Sequence, residues 1–389
     1  MRRVYMDHAA TTPLDPAVLE VMKPYLTEHF GNASSVHALG RKARFAVEES
    51  REQVAELLQA EPSEIVFTSG GTEADNTALK GVLYHQYHTT GTRGELITSA
   101  AEHEAILRPA EALREADWPV TILSPKPHGA VTPEQLQAVI SEDTALVSLM
   151  HANNETGVMT DIPAIADICH AYGALLHCDA VQTAGLLALD VKTLDVDLLS
   201  ISGHKFYGPK GVGILYVRGG VDVDPLLRGG SQERDRRGGT EHVAGIVGMT
   251  EALERAVTAA EDRVDRLRDL QQRLIDGVTN ALDGEFVLNT PIDGHDVAPH
   301  IVNLSFPPRD DTPLDGEMLL LNLDMEGVLA SSGSACTSGA LEPSHVLTAL
   351  GLPRPTASAA VRFSLGKDTT AEDVDYAVET LERVVTRMR

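Results

Sequence analysis

Leu198-Leu199-Ser200-Ile201-Ser202-Gly203-His204-Lys205-Phe206-Tyr207-Gly208-Pro209-Lys210-Gly211-Val212-Gly213 decides the reading of the fold. It opens on an apolar run and passes through small residues to one lysine. It then turns at Gly208-Pro209 before a second apolar run, 212–217. Short apolar runs bounded by glycine and proline read as strands of a buried sheet. Similar runs stand upstream at Ile65–Thr68, 95–98, Val120–Leu123, 145–150 and 174–178. Helical patterns lie between them. One starts at Asp15-Pro16, where aspartate caps and proline takes the first turn. Others cover 36–59, run on from Thr72 and from Thr132-Pro133, and occupy Ile162–Ala171. This alternation predicts an α/β layer around a mostly parallel sheet flanked by helices. Ligands of such sheets sit at the carboxyl ends of the strands.

After His242 the character changes. Two long helical patterns, 243–259 and 263–282, precede strands at 285–289 and 301–306, a strand at 361–365 and a helix from Ala371. In that last helix Val374, Ala377, Val378, Leu381, Val384 and Val385 recur at helical spacing. The chain of 389 residues suits two domains rather than one core. We expect a large domain over 16–256 and a smaller α+β domain built from 1–15 and 257–389.

Acidic residues outnumber basic ones by 57 to 32, giving a net charge of −25. Nucleic acid is therefore a poor direct partner. Only 8 of the 32 basic residues are lysines. Acidic excess with scarce lysine fits a salt-adapted cytosol and ordinary acidic solubility equally. No run of about 18 apolar residues suggests a membrane span. No apolar stretch follows Arg2-Arg3, which points away from a signal peptide and toward the cytoplasm. Cys169, Cys178 and Cys336 are too few for a disulfide framework. Cys169-His170 and His177-Cys178 resemble metal-binding pairs, yet they read better as thiols beside core strands. No metal is expected.

Lys205 ends a strand among small residues, where an amine can approach a carbonyl compound closely. Lysine forms Schiff bases when burial and neighbouring cations free its amine. Taken alone, the segment fits equally a surface turn capped by Lys205. Its surroundings favour a cofactor with an aldehyde, a pyridine ring and a phosphate. Asp179 closes the strand run that precedes Ala180-Val181-Gln182, and a carboxylate there can pair with a pyridine nitrogen. Gln182 stands three residues on and can reach a ring hydroxyl. Ser69-Gly70-Gly71-Thr72-Glu73 lies between strand and helix; it is a phosphate cradle or simply a tight helix cap. Ser202 and His204 can serve the same phosphate. His103 follows the strand at 95–98 and can stack on a ring or shuttle protons, although a lone histidine is more often a surface or capping residue. Asn154, in an asparagine-rich turn, can bond the ring hydroxyl or a substrate. Arg362 suits bidentate binding of a carboxylate, or a structural ion pair. Ser331-Ser332-Gly333-Ser334-Ala335-Cys336-Thr337-Ser338-Gly339-Ala340 is too rich in small residues to pack a core. We expect a mobile loop that exposes Cys336, where a thiol reacts as its thiolate.

With these motifs in order, the sequence resembles the cysteine desulfurases of the class-V aminotransferase group, fold-type I enzymes that use pyridoxal 5'-phosphate. The motifs are Tyr5 to Pro13, Phe67 to Glu73, His151 to Gly157, His177 to Gln182 and Ser200 to Gly213. The resemblance covers nearly the whole chain. It implies that Lys205 carries the cofactor, Asp179 pairs with its ring nitrogen and His103 stacks on the ring. Asn154 and Gln182 would contact the ring or its hydroxyl. Gly71, Thr72, Ser202 and His204 would hold the phosphate. Arg362 and Asn154 would bind the L-cysteine substrate, and Cys336 would take its sulfur as a persulfide. Catalysis would rest on Cys336, Lys205 and His103. Thr240, after Gly238-Gly239, would reach the phosphate of a partner subunit, which implies a homodimer with shared sites. A sulfur-acceptor protein would follow, serving iron–sulfur assembly, tRNA thiolation or DNA phosphorothioation. His242 departs from the family, which usually has Asn or Pro there. Two other readings remain: an aminotransferase or selenocysteine lyase of the same fold, and a non-catalytic scaffold that docks sulfur carriers.

Overall fold

The structure is a computed structural model, which describes residues 2–126, 129–291, 296–333 and 343–389. The chain begins with β1 (Val4–Tyr5), α1 (Pro16–Thr27), α2 (Ala38–Leu58), β2 (Ile65–Thr68), α3 (Gly71–Thr90), β3 (Glu95–Ser99), α4 (Glu104–Glu115) and β4 (Val120–Leu123). Next come α5 (Pro133–Gln137), β5 (Thr144–Met150), α6 (Ile162–Ala171), β6 (Leu175–Asp179), α7 (Val191–Leu194), β7 (Leu198–Ser202) and β8 (Gly213–Val217). The remainder is α8 (Val243–Thr258), α9 (Ala260–Leu282), β9 (Val287–Leu288), β10 (Ile301–Ser305), α10 (Gly316–Met325), β11 (Val328–Leu329), α11 (His345–Ala349), α12 (Arg354–Ser358), β12 (Ala360–Ser364) and α13 (Ala371–Met388).

Seven strands form the main sheet in the order β2-β8-β7-β6-β5-β3-β4. Only β8 runs antiparallel to its neighbours. Every residue of β5 is buried. That is why the strands read as unbroken apolar runs: a parallel sheet is covered on both faces. Successive side chains still go to opposite faces. Ile97 and Val147 pack with Val54 of α2, Ile165 of α6 and Ile246 of α8. Their neighbours Leu96 and Leu146 pack with Leu79 of α3 and Ile106 of α4.

A separate core gathers Leu270 and Leu274 of α9, Leu319 and Leu323 of α10, and Leu381 of α13. They close over Val302 and Leu304 of β10 and Val361 and Phe363 of β12. Its sheet is antiparallel, in the order β12-β10-β9. The N-terminus joins this core, because β1 pairs in parallel with β11. Val4 and Met6 are buried there.

The expected strand at 285–289 shrinks to two residues, β9. Helix α4 escapes a pattern reading because Pro109 sits inside it. Cys169 and Cys178 are both buried and free. Burial pushes the Cys169 thiol up to about 12 and raises Cys178 well above its usual range, so both are inert. Among the described residues no group of His, Cys, Asp or Glu is arranged to hold a metal ion. Among the same residues no helix is long and apolar enough to cross a membrane.

Candidate active site

The carboxyl ends of β5, β6 and β7 open into one cleft of about 560 Å³. Met150, Asp179 and Ser202 are the last residues of those strands and line it. The second core supplies Ser331 and Arg362, and the N-terminal segment supplies Asp7, Ala9 and Ala10.

Lys205 sits on a single 3-10 turn after β7. Gly203 permits that turn, since a Cβ there would lie 3.1 Å from the Pro209 carbonyl oxygen. Lys205 Nζ donates to the carbonyls of Ala9 (2.5 Å) and Ala10 (3.1 Å). Burial, with the Arg362 charge second, lowers its pKa from 10.5 to about 8; Asp179 and Asp7 oppose the shift. Asp179 Oδ1 accepts from the Val181 N–H at 2.9 Å. Burial raises the Asp179 pKa, while that bond and the charges of His103 and Lys205 pull it back.

The N-terminus of α3 forms the second corner. Gly70 precedes it at φ 147° and gives it no side-chain cap, so the first N–H groups of a 20-residue helix lack an internal acceptor. A Cβ on Gly71 would stand 2.8 Å from Val181 Cγ2. Only glycine allows that approach. Gly71, Thr72, Ser202 and His204 line the cleft together. His204 Nδ1 faces Thr11 Oγ1 at 3.1 Å. Burial and then the charges of Lys205 and Lys210 lower its pKa to about 4, so its ring is neutral.

The third corner binds the two cores. Arg362 is 3% exposed. It donates to Asp7 Oδ1 (2.8 Å), Ser331 Oγ (2.9 Å) and the Asn154 carbonyl (2.7 Å). Its Nε–H has no partner among the described residues, and neither has the buried Asn154 Oδ1. The structural ion pair and the free donor thus coexist on one guanidinium. Gln182 Nε2 donates to the Ala9 carbonyl at 3.0 Å. His103 caps α4, its Nδ1 accepting from the Ala105 N–H at 3.1 Å. Burial lowers its pKa, and the Asp179 charge opposes that.

Ten of the residues expected from sequence therefore line one cleft: Gly71, Thr72, His103, Asn154, Asp179, Gln182, Ser202, His204, Lys205 and Arg362. Thr240 is exposed and lies outside the cleft of its own chain. Cys336 lies outside the described residues. His242 precedes α8, and its ring covers Gly245 so closely that a Cβ there would sit 2.2 Å away. Sequence reasoning missed Asp7, Asp75, Glu155, Ser331 and His345, all of which line the cleft. Asp7 stands inside the motif Tyr5 to Pro13 and was within reach of that signal. Burial raises the pKa of Asp75 well above the carboxylate range, with Asp179 adding to the effect. Nothing local marks Asp75 in the sequence, because the neighbours that act on it, Asp179, Ser200 and Glu102, come from remote parts of the chain.

The donor set fits pyridoxal 5'-phosphate on three observations. An amine with lowered pKa and a buried carboxylate line the same cleft and act on each other's charge. An uncapped helix start supplies N–H groups for a phosphate. Asn154 Oδ1 and Arg362 Nε are buried polar atoms still lacking partners among the described residues.

Comparison with known proteins agrees. Residues 4–377 match the family model described as aminotransferase class-V. The chain is 46% identical to "Cysteine desulfurase IscS" of Dictyoglomus turgidum, over all of this chain and 96% of that protein. The solved structure of a "NIFS-LIKE PROTEIN" superposes with a TM-score of 0.89 at 37% identity, covering 99% of this chain and 100% of the other. "SspA in complex with cysteine" matches with a TM-score of 0.79 at 35% identity, covering 93% and 98%. The fold is thus that of the pyridoxal-phosphate transferases expected from sequence, and the chain belongs to the class-V aminotransferase family, on its cysteine desulfurase branch.

Proposed function

We propose that the protein is a pyridoxal 5'-phosphate-dependent cysteine desulfurase that converts L-cysteine to L-alanine and holds the sulfur as a persulfide on Cys336. The observation that carries this reading is one cleft lined by Lys205, Asp179 and Arg362, in which burial lowers the Lys205 amine to about 8. Bound cofactor supplies an electron sink for charge developing at the substrate Cα. The chain supplies the rest. Lys205 would carry the cofactor and move a proton at the substrate Cα. Asp179 would keep the ring nitrogen protonated, and His103 would pack on the ring. Asn154 and Gln182 would contact its hydroxyl. Gly71, Thr72, Ser202 and His204 would hold the phosphate. Arg362, through its free Nε–H, and Asn154 bind the substrate. The Cys336 thiolate attacks the substrate sulfur; an S–S bond forms and the Cβ–S bond breaks. The electron pair stays on carbon, which takes a proton and leaves as alanine.

The same reading assigns the large domain to 16–256 and the small one to 1–15 and 257–389. It makes the protein a cytoplasmic homodimer in which Thr240 completes the partner's phosphate site. The persulfide passes to an acceptor protein serving iron–sulfur assembly, tRNA thiolation or DNA phosphorothioation. The test is alanine release from L-cysteine by protein loaded with pyridoxal 5'-phosphate. Steady release accompanied by a visible cofactor band is the expected result. A cofactor band with amino transfer to an oxoacid and no alanine from cysteine would replace this reading with an aminotransferase.

A further inference from the structure

A second cavity, of about 390 Å³, shares no lining residue with the active-site cleft. Phe206 and Tyr207, the two residues after Lys205, form its wall together with Val18 of α1 and Ala252 and Ala256 of α8. Its charges are Arg255, Arg263, Arg266 and Lys367 against Asp15 and Asp262. Four cations against two acids run counter to a chain whose net charge is −25. An apolar wall with a few charged groups, in a space of this size, is the composition of a small-molecule site.

Two of the four cations are neutralised and two are not. Arg255 pairs with Glu251 at 2.6 Å, and Lys367 pairs with Asp15. Arg263 and Arg266 form no ion pair among the described residues. Arg263 donates through Nη2 alone, to the Gly185 and Ala256 carbonyls. Arg266 donates to the carbonyls of Gly366, Lys367 and Thr369. Carbonyls orient a guanidinium but leave its charge uncancelled. Both side chains are half-buried. Burial lowers the Arg263 pKa; Tyr207 opposes the shift, and the Arg266 charge adds to it. Like charges held together away from water are costly until an anion joins them. A guanidinium is the group that takes a carboxylate or phosphate in a fork.

We propose that this cavity binds a small organic anion, its carboxylate or phosphate on Arg263 and Arg266 and its apolar body against Phe206 and Ala256. The site adjoins the Lys205 turn. A smaller cavity of about 40 Å³ shares Gln182 and Lys205 with the active-site cleft, and Phe206, Tyr207, Arg263 and Lys367 with the cationic one. Tyr207 is held at φ 67°, a left-handed conformation that a bulky residue keeps only under constraint. Thr12 Oγ1 accepts from the Tyr207 N–H at 2.8 Å and donates to the His204 carbonyl at 2.8 Å. The Lys367 N–H donates to Tyr207 Oη at 2.6 Å. The anion site and Lys205 therefore bear on one short segment, 204–207.

Benzoate and phenyl phosphate test this on the cofactor-loaded protein, with benzamide as the uncharged control. Phenylglyoxal modifies guanidinium groups, and peptide mass spectrometry reads each arginine separately. One or both anions should slow modification of Arg263 and Arg266 and leave exposed Arg268, on the same helix, at its own rate. Protection by benzoate alone assigns a carboxylate ligand, and protection by phenyl phosphate alone a phosphate ester. Calorimetric titration with the protecting anion supplies the second measurement. Arg263→Gln and Arg266→Gln should each raise its dissociation constant at least about tenfold, the worth of one charge-assisted bond. Ala259 also lines the cavity. Ala259→Trp fills it while keeping both cations, and should weaken binding as much even where a glutamine variant folds poorly. Unchanged modification of Arg263 and Arg266, or equal protection by benzamide, overturns the proposal. So does binding that survives all three variants and is lost in Arg362→Gln, because the anion then sits in the active-site cleft.

Discussion

The lowered pKa of Lys205 is the most quantitative consequence of the site. The perturbation is pH, applied to the cofactor-stripped protein. The drop from 10.5 to about 8 corresponds to about 3.4 kcal/mol at roughly 1.36 kcal/mol per pH unit. At pH 7.5 a group titrating at 8 is about 24% neutral, against ~0.1% for an ordinary lysine, a gain of about 240-fold in free amine. Competitive labelling with an amine-reactive reagent, read by peptide mass spectrometry, measures this directly. Lys205 should label with a midpoint near pH 8, while exposed Lys42 serves as the reference. Linkage gives a second readout. The folded-state pKa is below the unfolded one, so the unfolded chain holds the extra proton between pH 8 and 10.5. Stability of wild type should therefore rise through that window relative to Lys205→Met, by up to about 3.4 kcal/mol. A labelling midpoint above pH 10 would refute the reasoning, because the desolvation that lowers the pKa would then be missing.

Three further outcomes follow from named contacts. Asp179→Asn should cut alanine release at least about a hundredfold, at the low end for removing a key polar group, and weaken cofactor retention in gel filtration; unchanged turnover counts against the ring-nitrogen role. Arg362→Lys keeps the charge but loses the free Nε–H, so KM for L-cysteine should rise about tenfold or more, since one charge-assisted bond is worth roughly 1.5–3 kcal/mol; steady-state kinetics reads this. Glu233→Gln should destabilise the protein by about 3–5 kcal/mol in urea melts, the range for breaking a buried pair. Arg51 and Glu233 are both buried, at 2% and 6% exposure, and Glu233 meets the guanidinium at 2.8 and 2.9 Å while also accepting from the Phe67 N–H. The segment so anchored leads on to Thr240.

The large sheet was legible because both its faces are covered, which writes strands as apolar runs punctuated by glycine and proline. Asp179, Ser202 and Lys205 were legible for the same reason: each follows or ends such a run. Arg362 was found by residue type and resemblance. Its anchoring by Asp7 was not, because the two meet across 355 positions of sequence. The pairing of β1 with β11 is equally remote and only two residues long. Nothing in the sequence sets Glu155 or Asp75 apart from other acids; what makes them different is burial in the folded chain. His345 carries no local signal either, since it joins the cleft by meeting the Glu102 carbonyl, more than two hundred residues away in the chain.

Mass spectrometry of the Cys336 peptide after exposure of the loaded enzyme to L-cysteine tests the central claim most directly. The account predicts one added sulfur atom on Cys336, removable by a thiol reductant, and no alanine from a Cys336→Ser variant prepared in parallel. An unmodified Cys336 peptide, with the variant releasing alanine as fast as wild type, would contradict it.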